Sequence, residues 1–309
     1  MRPLSWLKSE SRLFRKHSEL FVLSLPAVLF KLVFSYLPLI GLILAFKKFN
    51  YEGGIWGSEW VGWTNFKFFF ASDNAFRITR NTILYNISFI ILVTVLAVSF
   101  AIMMNEINRR WLKIHQTVLF LPYFLSWVVV SYVMLGFLEH KNGFLNQMLV
   151  SLGRDPVAWY QESVYWPFIL ILVYLWKAVG FSTLIYYAGI LGIDSSYYEA
   201  ARIDGATKMQ LVTRITIPLL TPLIIILFIV AIGSIFRADF GLFFFIPNDM
   251  GVLYPVTDVI DTYVYRSLRV VGDLGMSTAV GLYQSVVGFF LVLATNWLIR
   301  RMNAENSLW

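Results

Sequence analysis

Few side chains in this sequence have the types and spacing for bond-making chemistry. Cysteine is absent, which removes disulfides, thiolate nucleophiles and cysteine metal sites. The three histidines, His17, His115 and His140, are scattered, and neither H-E-x-x-H nor G-x-S-x-G occurs, so no catalytic or metal site is expected. No glycine precedes a lysine, so the phosphate-cradling G-x-x-x-x-G-K-[ST] loop is missing and the chain is expected to bind no nucleotide cofactor itself. What remains is charge set among apolar residues. Lys177 stands in the middle of an apolar run beside Tyr174 and Trp176, and Arg237 and Asp239 follow another. A charge inside a membrane span costs a few kcal/mol or more unless it faces water or protein (~2.5–3.5 kcal/mol on insertion scales). Lys177 is therefore a candidate for contact with something that passes through, or is satisfied by a backbone carbonyl or a neighbouring subunit. Lys31, nearer the end of its run, can snorkel to the interface. Tyr123, Tyr174 and Trp176 offer aromatic faces for stacking, and Arg237, which could pair with Asp239 or meet solute, completes a set of pathway candidates.

One hydrophilic segment specifies a shape. From Ser195 to Gln210, Ser196 with Glu199 and Thr207 with Gln210 fit two capping boxes, and Gly205 falls where a left-handed C-terminal cap is wanted. The reading is helix, tight turn, helix. Ala200 and Ala201 leave a face bare enough for another protein to approach, and the second helix runs through Ile215 and Pro218 into an apolar run.

The elements that must hold these residues follow from composition. Of 309 residues, 58% are hydrophobic and 14% charged, against roughly a quarter charged in soluble domains. Mean hydropathy is +0.68. Six runs approach the ~20 apolar residues that cross a bilayer: 21–46, 83–104, 118–138, 164–190, 217–236 and 279–299. The expectation is an all-α integral membrane protein with a 1–20 N-terminal segment, a six-helix domain over 21–299 and a 300–309 tail. With the N-terminus inside, Lys and Arg are about twice as dense in the inner segments as in the outer ones, which puts both termini in the cytoplasm. The net charge of +7 then belongs to those loops, and no nucleic-acid partner is expected. Residues 142–152 form an amphipathic stretch suited to the outer membrane surface.

The loop also resembles a family. Glu199-Ala200-Ala201, Gly205, nine residues and then Ile215-x-Ile217-Pro218 match the E-A-A-x-x-x-G and I-x-L-P pattern of the coupling loop in bacterial ATP-binding-cassette import permeases. Ile217 stands where leucine is usual, which keeps the apolar character. Pro38 to Gly41, Ala45 to Lys47, Gly54 to Ser58, Trp60 to Gly62, Asp258 to Tyr265 and Thr278 to Leu282 are similar to the polysaccharide branch, often labelled aldouronate permeases.

The resemblance implies that Glu199, Ala200, Ala201, Asp204, Gly205, Ile215 and Pro218, in a loop at about 193–216, couple the chain to an ATP-binding subunit dimer that holds ATP and Mg. It also implies a second, different permease subunit, an extracytoplasmic solute-binding protein, an oligosaccharide substrate with uronic acids as candidates, alternating access, and residence in the bacterial cytoplasmic membrane. The rival reading is an ion-coupled secondary transporter or channel. Such proteins use ionisable groups near the bilayer midplane, and the six runs hold no Asp or Glu.

Overall fold

The computed structural model describes residues 18–302, so most of the expected 1–20 segment and of the 300–309 tail lies outside the described residues. Five helices are long and apolar enough to cross a membrane. The first, α1, spans Glu19–Phe46 and winds through a π turn at Leu32–Tyr36 and a 3₁₀ stretch at Leu37–Phe46. It leads into a two-residue antiparallel pair, β1 (Lys47–Lys48) and β2 (Glu59–Trp60). Lys47 closes the intervening loop by donating to the carbonyls of Ile55 and Trp56, each at 2.9 Å. After the short α2 (Thr64–Phe70) comes α3 (Asp73–Glu106), 34 residues or about 50 Å at 1.5 Å per residue. It therefore overruns the ~30 Å hydrocarbon core.

The third apolar run does not form one rod. α4 (Arg109–Phe120) and α5 (Trp127–Leu138) meet at a bend of 98° across residues 121–126, so a sixth span exists only as a bent pair. Proline explains the break. Pro122 has no N–H to donate and its ring crowds the preceding turn, and Leu125 and Ser126 turn to extended backbone, with ψ of 133° and 151°. Ser126 restarts the helix by accepting the Val129 N–H at 3.3 Å.

Beyond α5 lie α6 (Phe144–Ser151), inside the expected amphipathic stretch, and α7 (Trp166–Leu191). Next come α8 (Ser195–Ile203) and α9 (Lys208–Leu211). A π turn at Val212–Thr216 joins α9 to α10 (Ile217–Gly233), giving one continuous run, Lys208–Gly233. α10 stops three residues short of the expected end, and α11 (Phe240–Phe245), α12 (Ile260–Arg266) and α13 (Leu274–Met302) complete the fold. The result is a helical membrane protein with five to six candidate spans.

Lipid offers no hydrophobic drive for helices to associate, so close contact relies on small residues. Ala97 and Ala101 on α3 let it settle against Tyr186, Tyr187 and Ile190 of α7 and Leu220 of α10. At the opposite end of the bundle, Tyr85, Phe89, Trp166, Leu170 and Phe243 form a second core. That end is also fastened by charge. Asp258, 2% exposed, accepts from Arg266 and from Thr262 Oγ1 at 2.8 Å, with Arg77 at 3.8 Å. Arg266 reaches Asp249 at 2.8 Å and covers the Tyr254 ring at 4.1 Å. Removing one partner of a buried ion pair leaves an uncompensated charge, so Arg266→Ala is expected to destabilise the fold by about 3–5 kcal/mol. Equilibrium unfolding in mixed micelles would check this, and a loss below ~1 kcal/mol, the scale of an exposed pair, would show that the network is dispensable.

Candidate functional site

Three features are candidates for function: a cavity, the break beside it, and the α8–α9 loop. The loop is built by local capping. Asp194, not Ser196, caps α8, its carboxylate accepting the Ser196 N–H at 2.9 Å. The expected Ser196–Glu199 box is displaced because Asp194 stands one residue before the helix in extended backbone, the N-cap geometry in which a carboxylate reaches the first free N–H groups. The Thr207–Gln210 box is present. Between the two helices Gly205 takes φ +80°, a left-handed conformation open to glycine at little cost, and the Ala206 N–H closes back on the Ala201 carbonyl at 2.9 Å.

Glu199, Ala200, Asp204 and Gly205 are exposed, and Ala201 is half-buried. Ile203 and Met209 are 86% and 71% exposed, apolar side chains with nothing over them among the described residues. The loop is braced from behind. Lys208 pairs with Glu106 of α3 at 2.7 Å, and the Tyr198 hydroxyl meets Thr216 Oγ1 at 3.0 Å. Ile215 sits in the π turn, and Pro218 at the start of α10. The π turn widens the winding just before Pro218, where no N–H is available for a normal helical bond.

The cavity, about 480 Å³, opens between α3, α7 and α10. α3 contributes Asn86, Phe89 and Thr94, and α7 contributes Tyr174, Phe181 and Ser182. α10 and the turn after it contribute Ala231, Ser234, Arg237, Ala238 and Asp239. Phe89 and Tyr174 stack at 3.8 Å between ring centroids. The turn is held by side chains from three directions. Asn86 donates to the Ile235 carbonyl at 2.9 Å, Gln284 to the Phe236 carbonyl at 2.7 Å, and Asp261 accepts the Ala238 N–H at 2.7 Å. Asp261 is half-buried there, and desolvation pushes its carboxyl above the usual carboxylate range.

Of the pathway candidates, Tyr174 and Arg237 line this cavity. Arg237 is exposed and forms no ion pair among the described residues, and Asp239 accepts the Trp127 indole N–H at 2.9 Å instead. Tyr123 stands behind the wall, its ring stacked on Phe181 at 4.6 Å. Trp176 points elsewhere, into an apolar groove with Met103, Met104 and His115. Lys177 Nζ donates to the carbonyls of Tyr123 and Leu125, both at 2.7 Å. Asn86, Thr94, Ser182 and Ser234 were not anticipated. Their signal was available as polar residues within or just beyond apolar runs.

Long apolar helices around a cavity lined by both apolar and polar side chains, with a protruding loop continuous with one of them, define a membrane transport subunit. Residues 94–304 match the family described as "Binding-protein-dependent transport system inner membrane component". The chain belongs to that family and is thus a multi-pass inner membrane permease component of such a system, not an enzyme. It is 30% identical to Protein LplB of Bacillus subtilis (strain 168), covering 98% of this chain and 94% of that one. It is 31% identical to the polygalacturonan/rhamnogalacturonan transport system permease protein YteP of the same strain, over 93% and 89%. The structure is similar to a chain of a bacterial ABC transporter involved in the import of the acidic polysaccharide alginate. The TM-score is 0.87 at 30% identity, covering 96% of this chain and 99% of that one. A chain of the bacterial alginate ABC transporter in complex with an alginate pentasaccharide-bound periplasmic protein gives a TM-score of 0.85, also at 30% identity, over 94% and 97%.

The cap on α8 sets a pH dependence. The backbone N–H and hydroxyl of Ser196 hold the Asp194 carboxyl below the usual carboxylate range. Its stabilisation is therefore full above the ordinary carboxylate pKa of ~3.9 and lost as pH falls through the lowered value. At neutral pH, Asp194→Ala is expected to raise deuterium uptake across Ser195–Ile203, and Asp194→Ser, which keeps a capping oxygen, to raise it less. Equal uptake in all three chains would mean that the cap does not hold the helix.

Proposed function

We propose that this chain is the permease subunit of an ATP-driven importer of oligosaccharides, with uronate-bearing chains as its substrate class. ATP and Mg are bound by a separate ATPase dimer, and the chain moves solute by alternating access. The cavity lining carries the substrate class. A sugar presents hydroxyls to hydrogen-bond and apolar ring faces to stack, and a uronic acid adds a carboxylate. The lining offers Asn86, Thr94, Ser182 and Ser234 for the first, the Phe89–Tyr174 pair for the second, and Arg237, with no ion pair among the described residues, for the third. Guanidinium suits a carboxylate because two of its parallel donors match the two oxygens. The likeness to a transporter of the acidic polysaccharide alginate supports the same class.

In this reading the loop at about 193–216 docks on the ATPase through the exposed Ile203 and Met209, with Glu199, Ala200, Ala201, Asp204 and Gly205 shaping the contact. Ile215 and Pro218 pass the displacement into α10, because Lys208–Gly233 is one continuous run. The loop end and both termini are then cytoplasmic. The opposite end receives an extracytoplasmic binding protein. The domain of residues 21–299 pairs with a different permease chain.

Two measurements test this. In the first, the chain is reconstituted with the ATPase and second permease encoded beside it, and hydrolysis is measured with and without binding protein and a uronic-acid pentasaccharide. Stimulation is expected, and Gly205→Asp and Glu199→Lys are expected to abolish it while insertion persists. Loop variants that behave as wild type would sink the coupling role. In the second, Arg237→Gln is expected to raise the half-saturating concentration of the uronate probe about 10- to 100-fold, and that of a neutral oligosaccharide far less. Equal effects on both probes would remove the carboxylate from the reading.

A further inference from the structure

Lys177 reads in the sequence either as a cation for solute or as one satisfied by a backbone carbonyl or a neighbouring subunit, and its ammonium is occupied by backbone carbonyls. An ammonium has three N–H donors. Lys177 has three main-chain acceptors, the carbonyls of Tyr123 and Leu125 at 2.7 Å and of Pro122 at 3.4 Å. All three belong to the break between α4 and α5. The ammonium also lies 5.2 Å from the ring centroid of Trp127, the first residue after the break. Trp127 donates its indole N–H to Asp239 at 2.9 Å. Asp239 in turn caps α11 through the N–H groups of Gly241 and Leu242, and it lines the cavity.

Two glycines make room for this arrangement. A Cβ on Gly180, three residues after Lys177, would stand 1.9 Å from the Leu119 carbonyl oxygen. One on Gly241 would stand 2.0 Å from Cδ1 of Trp127. A side chain at position 180 would require the backbone to move, and one at position 241 would require the Trp127 side chain to move. The broken span is thus fitted closely to α7 on one side and to the start of α11 on the other.

We propose that Lys177 is a positioning residue for transport: it holds the break of the third span so that Trp127 and Asp239 close the rim of the cavity, and it does not bind solute. This rests on the cavity being the solute path. A neutral side chain at position 177 leaves the carbonyls of Tyr123 and Leu125 without their donor, and the break relaxes until they find another. Trp127 then leaves Asp239 and the rim opens.

This chain has no cysteine, so an introduced one is the single thiol on its own gel band. Ala238→Cys reports on the rim, and Glu52→Cys, in the exposed β1–β2 loop, reports on the fold at large. Both are labelled with a water-soluble maleimide in the complete membrane assembly, and uptake of a uronic-acid pentasaccharide is measured in parallel. Lys177→Met is expected to raise the labelling rate of Ala238→Cys roughly tenfold, the scale of losing charged hydrogen bonds. It should leave Glu52→Cys unchanged and lower maximal uptake more than it shifts the half-saturating concentration. Lys177→Arg should restore most of both. Trp127→Phe should open the rim in the same way, and the double variant should go no further.

Unchanged rim labelling in Lys177→Met with a shifted half-saturating concentration would overturn the proposal in favour of direct solute contact. Faster labelling at both cysteines would overturn it in favour of general loss of fold. Wild-type rates and uptake in Lys177→Met would overturn it outright. If wild type takes up no pentasaccharide while the labelling pattern holds, the sugar reading fails and the positioning role stands.

Discussion

Inside a bilayer a main-chain carbonyl has no water to turn to, so every interruption of a spanning helix must be answered by the protein itself. An unanswered peptide group costs several kcal/mol (~4–8 on a water-to-hydrocarbon scale). This chain interrupts two spans beside its cavity, at residues 121–126 and again after Gly233. The first break is answered by one ammonium, Lys177, on three carbonyls. The second is answered by Asn86 and Gln284 on the carbonyls of Ile235 and Phe236, and by Asp261 on the Ala238 N–H. Without these four side chains backbone groups at both turns would go unanswered, including those of the turn that carries Arg237 and Asp239.

The same four residues explain why the site is held firmly although much of it is not regular helix. Asn86 and Lys177 project from α3 and α7, Gln284 from α13, and Asp261 from the short α12. Irregular backbone is therefore fixed from rigid elements on several sides, the condition under which a binding geometry holds to within a fraction of an ångström. α10 is the exception in kind. One end of its run is the α8–α9 loop, and the other carries Ala231 and, just beyond it, Ser234 at the cavity. Its contacts with α3 and α7 include Leu220 against Ala97, Ala101 and Tyr187, apolar packing with few directional bonds. Packing of that kind can slide where a hydrogen-bonded clamp cannot, which suits α10 to be the moving wall and the breaks to be the fixed ones.

The legible parts of the sequence were those set by local pattern. Apolar runs gave the spans because length and composition decide them, and Gly205 and the Thr207–Gln210 box placed the turn between α8 and α9 because caps act over a few residues. The break in the third run was partly visible in Pro122, yet proline alone does not give a direction, and the 98° bend depends on what receives the freed carbonyls. Their donor is Lys177, 52 to 55 residues from the carbonyls, and it binds main-chain atoms, which no side-chain pattern encodes. Trp176 shows a different limit. It is two residues from Tyr174, and each residue turns a helix by about 100°, so neighbours in sequence face a groove and a cavity respectively. Cap choice was missed for a third reason: Asp194 and Ser196 are both good caps, and only the start of α8 decides between them.

Lys177, within an apolar run, and Arg237, just after another, are both pathway candidates in the sequence, and the structure separates them by what surrounds each. The lysine is a compact charge with three donors, and three carbonyl dipoles of a bent chain consume all of them. It has no free N–H left to offer a solute, because three carbonyl oxygens converge on it. The arginine sits on a turn whose carbonyls are already taken by Asn86 and Gln284, so its guanidinium faces the cavity without competition from that backbone. A planar fork of donors is also the worse tool for gathering carbonyls from one bend and the better one for a carboxylate. The chemistry of each side chain thus agrees with its position: the point charge holds the scaffold, and the fork is left at the cavity with no ion pair among the described residues.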